Sequence, residues 1–417
     1  MKIAVIGAGI IGVTSAYELA CNGHEVIVLE RRAAAAEEAS FANAGLVAPG
    51  YVTPWAAPGM PIKVLGHLFS QFAPVKVGLP LSSRELAWIW RWYRACKLET
   101  YLLHRSQMQR LAFYSRERLH HITANLSLEY ERSDGYMVLL RSERDSKLVQ
   151  PGLQVLREAG VTFKEIEPAD AYKIEPALNR DTAFFGAVYL PNDEVANCRQ
   201  FALLLKNEAQ RLGVKFLFNS TVSKIQTASG VELSITGDTG THRFDAVVLC
   251  AGVDSAVLLA SLGLKIPLLA VHGYSVSAAI REPLNAPRSA VMDERYKVAI
   301  SRLGNRVRVA GSAEIGGSPD KKRTSSLQTL YKVLNDWFPG AASLTSGVQE
   351  WKGARPMMPD GPPIIGPSGK AGLWLNLGHG SSGWALSCGS AKVLADLITG
   401  KVPDLDVSGF GIERLHL

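Results

Sequence analysis

The first thirty residues limit the possible folds more than any other part of the chain. KIAVIGAGIIGVTSAYELACNGHEVIVLE reads as strand, glycine turn, helix and strand. Ile3, Val5 and Ile6 form a short apolar strand, and Gly7, Gly9 and Gly12 follow in GxGxxG spacing. The helix runs to about Asn22, where Gly23 can cap it, and VIVLE ends at Glu30. This strand–helix–strand context is what the motif requires. Gly7 allows the tight turn, Gly9 lets backbone approach a pyrophosphate, and Gly12 permits close packing of helix on strand. The helix N-terminus, with Ile10 and Ile11 in its first turn, presents free N–H groups to phosphate. Glu30 stands eighteen residues beyond Gly12, placed to bond a ribose hydroxyl, and Arg31 follows it. A dinucleotide site is predicted; the motif alone does not separate NAD from FAD.

A second glycine turn lies near the other end. Leu373 to Leu377 read as a buried strand, followed by Gly378, His379, Gly380, Ser381, Ser382 and Gly383. Leu386, Leu394, Leu397 and Ile398 then mark a helix closed by Gly400. The dipole of such a helix stabilises negative charge placed before it, as at the N1–C2=O edge of a reduced flavin. A plain strand–helix turn is the competing reading, and both stay open on these residues. FDAVVLCAG (244–252) is a further apolar strand ending in Ala251 and Gly252. Asn197, with Gln200 three residues on, can cap a helix whose apolar face is Phe201, Leu204, Leu205 and Leu212. Gly213 ends that helix and VKFLF begins a strand. A nucleotide-binding sheet built from such distant pieces is uncommon in a simple NAD domain.

The stretch WKGARPMMPDGPPIIG (351–366) holds four prolines and three glycines, so regular helix and central strand are excluded. A rigid loop carrying Arg355 ahead of Pro356 is predicted. Its guanidinium could be a surface charge, an ion pair with Asp360, or a ligand clamp.

Composition closes off several classes. The 417 residues are 47% hydrophobic and 20% charged, ample for a globular core of two or three domains. The net charge of +7 permits contact with nucleic acid or an anionic membrane, but no lysine/arginine block or stacked-aromatic motif supports nucleic acid, and none is expected as a partner. Cys21, Cys96, Cys198, Cys250 and Cys388 are scattered, without any CxxC, so neither a disulfide framework nor a metal site is expected. A reducing, cytoplasmic compartment fits, and KIAVIG at the start leaves no room for a signal peptide. No run of 18 uninterrupted apolar residues exists, so no membrane-spanning helix is predicted.

Together these blocks resemble the D-amino acid dehydrogenase small-subunit family, within the FAD-dependent amine oxidoreductases related to glycine oxidase. The resemblance runs nearly end to end and is carried by SFANAGLVAPGYVTPWAAPGMP (40–61), LPNDEV (190–195), HGYS (272–275), MDERYKVAISRLGNRVRVAGSAEI (292–315), GARPMMPDGPPIIG (353–366) and LWLNLGHGSSGWALSCGS (373–390). Ala39 departs from it, where the family usually carries a hydroxyl residue. The resemblance implies non-covalent FAD, with its ADP half on the turn from Gly7 to Gly12 and on Glu30. It implies flavin contacts from Ser40, Asn43, Ala44, Gly45 and Leu46, an adenine contact at Val222, and the flavin edge at the turn from Gly378 to Gly383. Arg31, Ala251, Gly252 and Arg355 are added as candidate cofactor contacts.

The resemblance also places Arg355 over the flavin, gripping the substrate carboxylate. A guanidinium suits that task, because two parallel hydrogen bonds fix orientation as well as charge. Tyr296 matches a substrate-facing tyrosine of the family and is a candidate second carboxylate ligand; packing in the strand YKVAI is its competing reading. Tyr51 and Tyr274 are further candidates, set against structural or channel-lining roles. His272 and His379 are read as hydrogen-bonded core or turn residues.

The family name implies electrons passing to a respiratory quinone or another non-oxygen acceptor. Trp55, Trp88, Trp90, Trp92 and Tyr93 lie beside Lys63, Arg84, Arg91, Arg94 and Lys97, a mixture that suits a membrane headgroup layer. The competing reading is a core helix, since Trp88 and Trp92 share a face and Trp90 points away. The expectation is a two-lobed α/β flavoprotein with a Rossmann-like FAD lobe from 1–60, 190–265 and 350–417. A mixed-sheet substrate lobe would take 61–189 and 266–349. The expected reaction is oxidative deamination of D-amino acids such as D-alanine. The rivals are a same-fold enzyme acting on D-hydroxyproline, D-proline, glycine or sarcosine, and a non-catalytic nucleotide-binding regulator.

Overall fold

The computed structural model describes residues 1–67, 72–227 and 230–415. Its first sheet has six strands in the order Ile364–Pro367, Leu373–Leu377, Ala246–Leu249, Lys2–Ile6, Glu25–Leu29 and Lys215–Leu217. All neighbours run parallel except the outermost pair, Ile364–Pro367 with Leu373–Leu377. The central strand is buried on both faces, which explains its unbroken apolar run. Ile3 and Val5 face a core shared with the helices Ile10–Cys21, Cys198–Arg211, Leu98–Leu126 and Gly383–Ile398, while Ala4 and Ile6 face the three-stranded meander Val222–Gln226, Val231–Ile235 and Thr241–Phe244. Asn197 caps its helix as its residue type predicts, its Oδ1 accepting from the Gln200 N–H at 3.2 Å.

A ten-stranded mixed sheet forms the second body. Its main path runs Gln349–Met357, Leu269–Ala279, Arg306–Ile315, Val298–Leu303, Ala290–Asp293, Ser133–Leu140, Gly186–Val195 and Leu46–Val47. Tyr274, Val276, Val307 and Val309 pack against the helix Thr324–Trp337. The segment starting at residue 351 differs from the sequence expectation. Residues through Met357 form a regular edge strand rather than a loop, its ladder running along Leu269–Ala279. Pro356 is tolerated because an edge strand leaves one side of its backbone free of ladder bonds. That strand belongs to the larger sheet, whereas the sequence expectation assigns the segment from 350 to the FAD lobe.

The helix Ser83–Ala95 packs against the larger sheet, with Trp88 in a cluster of Leu269, Val271, Ala313, Ile315 and Met357. Trp88 is buried there, its Nε1–H donating to the Met357 carbonyl at 3.0 Å, whereas Trp90 is exposed and stacks on Tyr93.

Candidate active site

A cleft of about 1280 Å³ runs between the two sheets, larger than the roughly 300–1,000 Å³ of an ordinary small-ligand pocket. The N-terminal turn forms one wall, and each glycine does separate work. Gly7 has φ +102°, and a Cβ there would lie 2.7 Å from the Cys250 carbonyl oxygen. A Cβ on Gly12 would fall 1.8 Å from the Gly7 carbonyl, so only glycine lets the helix approach the strand this closely. At Gly9 a Cβ would stand in the cleft, with Ser40 Oγ at 3.5 Å as its nearest neighbour. Backbone can therefore meet a ligand directly at that point. The residues present thus fit a dinucleotide.

Ser40 and Glu30 brace this wall. The Ile10 N–H donates to Ser40 Oγ at 3.0 Å. Glu30 is buried, and its oxygens accept from the N–H groups of Ala8 at 2.6 Å and Arg32 at 2.8 Å. A carboxylate has about four acceptor sites, so capacity for ribose hydroxyls is left. Arg31, beside Glu30, pairs with Asp254 at 2.6 Å and with Glu38 at 2.9 Å on the cleft rim. Ile10, Ile11, Asn43, Ala44, Gly45, Leu46, Val222, Ala251 and Gly252 also line the cleft; Gly12 lies behind it. The Asn43 and Ala44 carbonyls are fixed from the larger sheet by Arg308 at 3.1 Å and Ser301 at 2.8 Å.

The opposite wall is the turn at 378–383 and the edge strand. Gly378, His379, Gly380, Ser381, Ser382 and Gly383 all line the cleft, and the helix Gly383–Ile398 begins there. His379 is buried, and burial pushes its imidazole down to about 3, so it stays neutral. Its backbone bridges to Met357, two residues beyond Arg355.

Arg355 projects from that strand into the cleft. Its Nη1 donates to the Ser312 carbonyl at 3.0 Å, and its Cζ lies 6.0 Å from the centre of the Trp55 ring. Burial lowers the guanidinium to about 10, with no carboxylate among the described residues to offset it. It still carries its charge at neutral pH. Asp360, the alternative partner considered from sequence, is taken by Arg414 instead. On the neighbouring strand, Gly273 leaves the space that the guanidinium fills: a Cβ there would lie 2.3 Å from Nη2.

The candidate tyrosines are placed differently. Tyr296 is not among the residues lining the cleft; its ring packs beside the second core, with the Arg141 guanidinium 5.0 Å away and Lys332 Nζ 5.3 Å away. That matches its competing packing role. Tyr274 borders the cleft, but its hydroxyl donates to Glu314 at 2.5 Å and accepts from the Arg323 N–H at 3.1 Å. Tyr51 also borders it, its hydroxyl donating to Glu294 and accepting from Lys297 Nζ at 3.1 Å. His272 is buried outside the lining. Sequence reading missed Gly273 and Ser312, and gave Trp55 a different role. The signal for Gly273 was a glycine inside the apolar strand LLAVHGYSVSA, which marks a close approach.

Residues 2–397 match the family described as FAD dependent oxidoreductase. The chain is 41% identical over 416 residues to a D-amino acid dehydrogenase of Bradyrhizobium diazoefficiens, covering 99% of each chain. It is 42% identical over 417 residues to one from Cereibacter sphaeroides, covering 99% of this chain and 95% of the other. Among solved structures it is similar to glycine oxidase from Geobacillus kaustophilus, with TM-score 0.75, 23% identity and 99% of both chains covered. It is also similar to L-proline dehydrogenase from P. horikoshii, with TM-score 0.74, 19% identity, and 100% and 97% of the chains covered. The glycine turns, the two-sheet cleft and this match over nearly the whole length agree, and the chain belongs to the FAD dependent oxidoreductase family.

Proposed function

We propose that this chain oxidises D-amino acids to 2-oxo acids and ammonia, using non-covalent FAD and passing electrons to a non-oxygen acceptor such as a respiratory quinone. The observation that carries the reading is Arg355: a half-buried, charged guanidinium with no carboxylate partner among the described residues, in the same cleft as both glycine turns. Relatives sharing about two-fifths of its residues are named for D-amino acids and as dehydrogenases.

FAD, when bound, supplies a hydride acceptor for the substrate Cα–H. The turn around Gly9, with Glu30 and Ser40, would hold its ADP half, and the turn at 378–383 would meet its flavin edge. Arg355 binds the substrate carboxylate, which fixes the direction of Cα–H as well as the charge. Ser312 takes one of the five guanidinium donors, and the four that remain include the parallel pair a carboxylate needs. His379, held neutral by burial, adds no positive charge to this wall of the cleft. The substrate gives up hydride from its neutral amine form, and water then releases ammonia from the resulting iminium. Peripheral contact with an anionic membrane, through the exposed aromatic and basic side chains around Trp90, brings the enzyme to a lipid-dissolved acceptor.

The test is an anaerobic visible spectrum of the purified protein before and after D-alanine, L-alanine, glycine and D-proline, each in its own cuvette. A flavin spectrum that bleaches with D-alanine and not L-alanine is expected. Bleaching with glycine or D-proline alone would move the protein to the neighbouring specificity. A protein that stayed colourless after FAD was added would overturn the reading.

A further inference from the structure

Building on the reading of Arg355 as the carboxylate clamp, we infer that Trp55 is a positioning residue that fixes the arginine and the 378–383 turn in one register. Two contacts of a single side chain carry this. The Trp55 ring centre lies 6.0 Å from Arg355 Cζ, within the range in which a ring face attracts a cation. From the same indole, Nε1–H donates to Ser381 Oγ at 3.2 Å. One rigid bicyclic ring therefore joins the group that would hold the carboxylate to the turn that would meet the flavin edge.

A free arginine side chain would lose rotamer freedom each time a carboxylate bound. Arg355 instead rests in the space left by Gly273, is fixed by the Ser312 carbonyl, and has the Trp55 ring beside it. Burial leaves the cation poorly solvated, which strengthens an aromatic contact. The tie to Ser381 matters for geometry: a displacement of about 1 Å between reacting groups can cost about a hundredfold in rate. Trp55 also packs at the edge of the small apolar cluster around Trp88, so a purely structural role is the rival explanation.

The two contacts can be separated by substitution. Trp55→Leu removes both; Trp55→Phe keeps a ring and removes the N–H; Ser381→Ala removes the acceptor. Each is made in the full chain and checked for FAD content. Carboxylate binding is read by calorimetry with propanoate, which has no amine to oxidise, and orientation by the rate of flavin bleaching at saturating D-alanine.

Trp55→Leu should raise the propanoate Kd about tenfold, and Trp55→Phe should restore it to within about twofold. Trp55→Phe and Ser381→Ala should slow bleaching by a similar factor, about tenfold, and the double variant should be no slower than either. If Arg355→Ala abolishes propanoate binding while Trp55→Leu stays within about twofold of the parent, the clamp stands and the role of Trp55 falls. If Arg355→Ala binds propanoate like the parent, both fall. Should Trp55→Leu fail to hold FAD, the other two variants decide: additive losses, or no loss in bleaching rate, overturn the proposal.

Discussion

The guanidinium of Arg355 occupies the space that a side chain at position 273 would need. Neighbouring strands place these residues close together: Val271 is the direct partner of Arg355 and Gly273 that of Gly353. Gly273 itself has no left-handed backbone to protect, since its φ lies outside the positive region. Alanine there would be tolerated by the strand and would push out the far end of a flexible side chain. Gly273→Ala should therefore leave folding and FAD content intact and raise KM for D-alanine about 10- to 100-fold, the loss of one good hydrogen bond to a charged group. Unchanged KM would mean that the guanidinium finds an equivalent position. Gly7 and Gly12 of the N-terminal turn differ in kind, because their neighbours are backbone atoms that cannot move aside.

The short turn Pro49–Tyr51 carries Tyr51 to the cleft and rests on the strand Gly186–Val195 through Asp193. That carboxyl is buried. It lies 3.5 Å from the Gly50 N–H and 3.8 Å from Arg116, and its second oxygen has no hydrogen-bond partner among the described residues. Burial pushes it up to about 7, with Glu194 adding to the rise and the Gly50 N–H and Arg116 opposing it. In the unfolded chain an aspartate releases its proton near pH 4. Between about pH 4 and about pH 7 the native state therefore holds one more proton than the unfolded state. Stability is greatest below that window, falls as pH rises through it, and is level above it. Asp193→Asn removes this dependence. The drop in unfolding midpoint between about pH 5 and about pH 8 should shrink by about 2–4 °C in thermal melts. An unaltered profile would mean that Asp193 is already ionised at the lower pH.

Across the whole molecule, exposed apolar side chains are unevenly spread. Of eighteen exposed large hydrophobic residues described, nine lie between Ile62 and Leu103. They include Ile62 and Leu65 on the helix Met60–His67, and Trp90 and Tyr93 on Ser83–Ala95, with exposed Lys63, Arg91, Arg94 and Lys97 among them. Lys63 and Val64 of the first helix also border the cleft, so the surface adjoins its mouth. No helix among the described residues is long and apolar enough to cross a membrane. If this face rests on lipid, the protein should float with anionic liposomes at low salt and detach as salt screens the basic residues. Replacing Trp90 and Tyr93 together by serine should cut the floating fraction about fivefold without changing FAD content. A parent protein that stays at the bottom of the gradient would remove membrane contact from the account.

Local signals in the chain were enough to settle the N-terminal turn, the Asn197 cap and the alternation that buries Trp88 and exposes Trp90. Each depends on residues a few positions apart, where spacing alone fixes which face a side chain takes. The resemblance blocks extended this to the family. What the sequence could not decide were relations across hundreds of residues. Pro356 looked like a strand breaker until the sheet order put its strand at an edge. Asp360 stayed open as a rival partner for Arg355 on sequence alone, and only the fold shows that Arg414, from the far C-terminal region, takes it. Tyr296 had a substrate-facing and a packing reading in the sequence, and only the fold sets its ring beside Arg141. Trp55 and Arg355 stand three hundred positions apart in the chain, and Trp55 with Ser381 even farther. Their contact depends on how two sheets pack, and no local spacing encodes that.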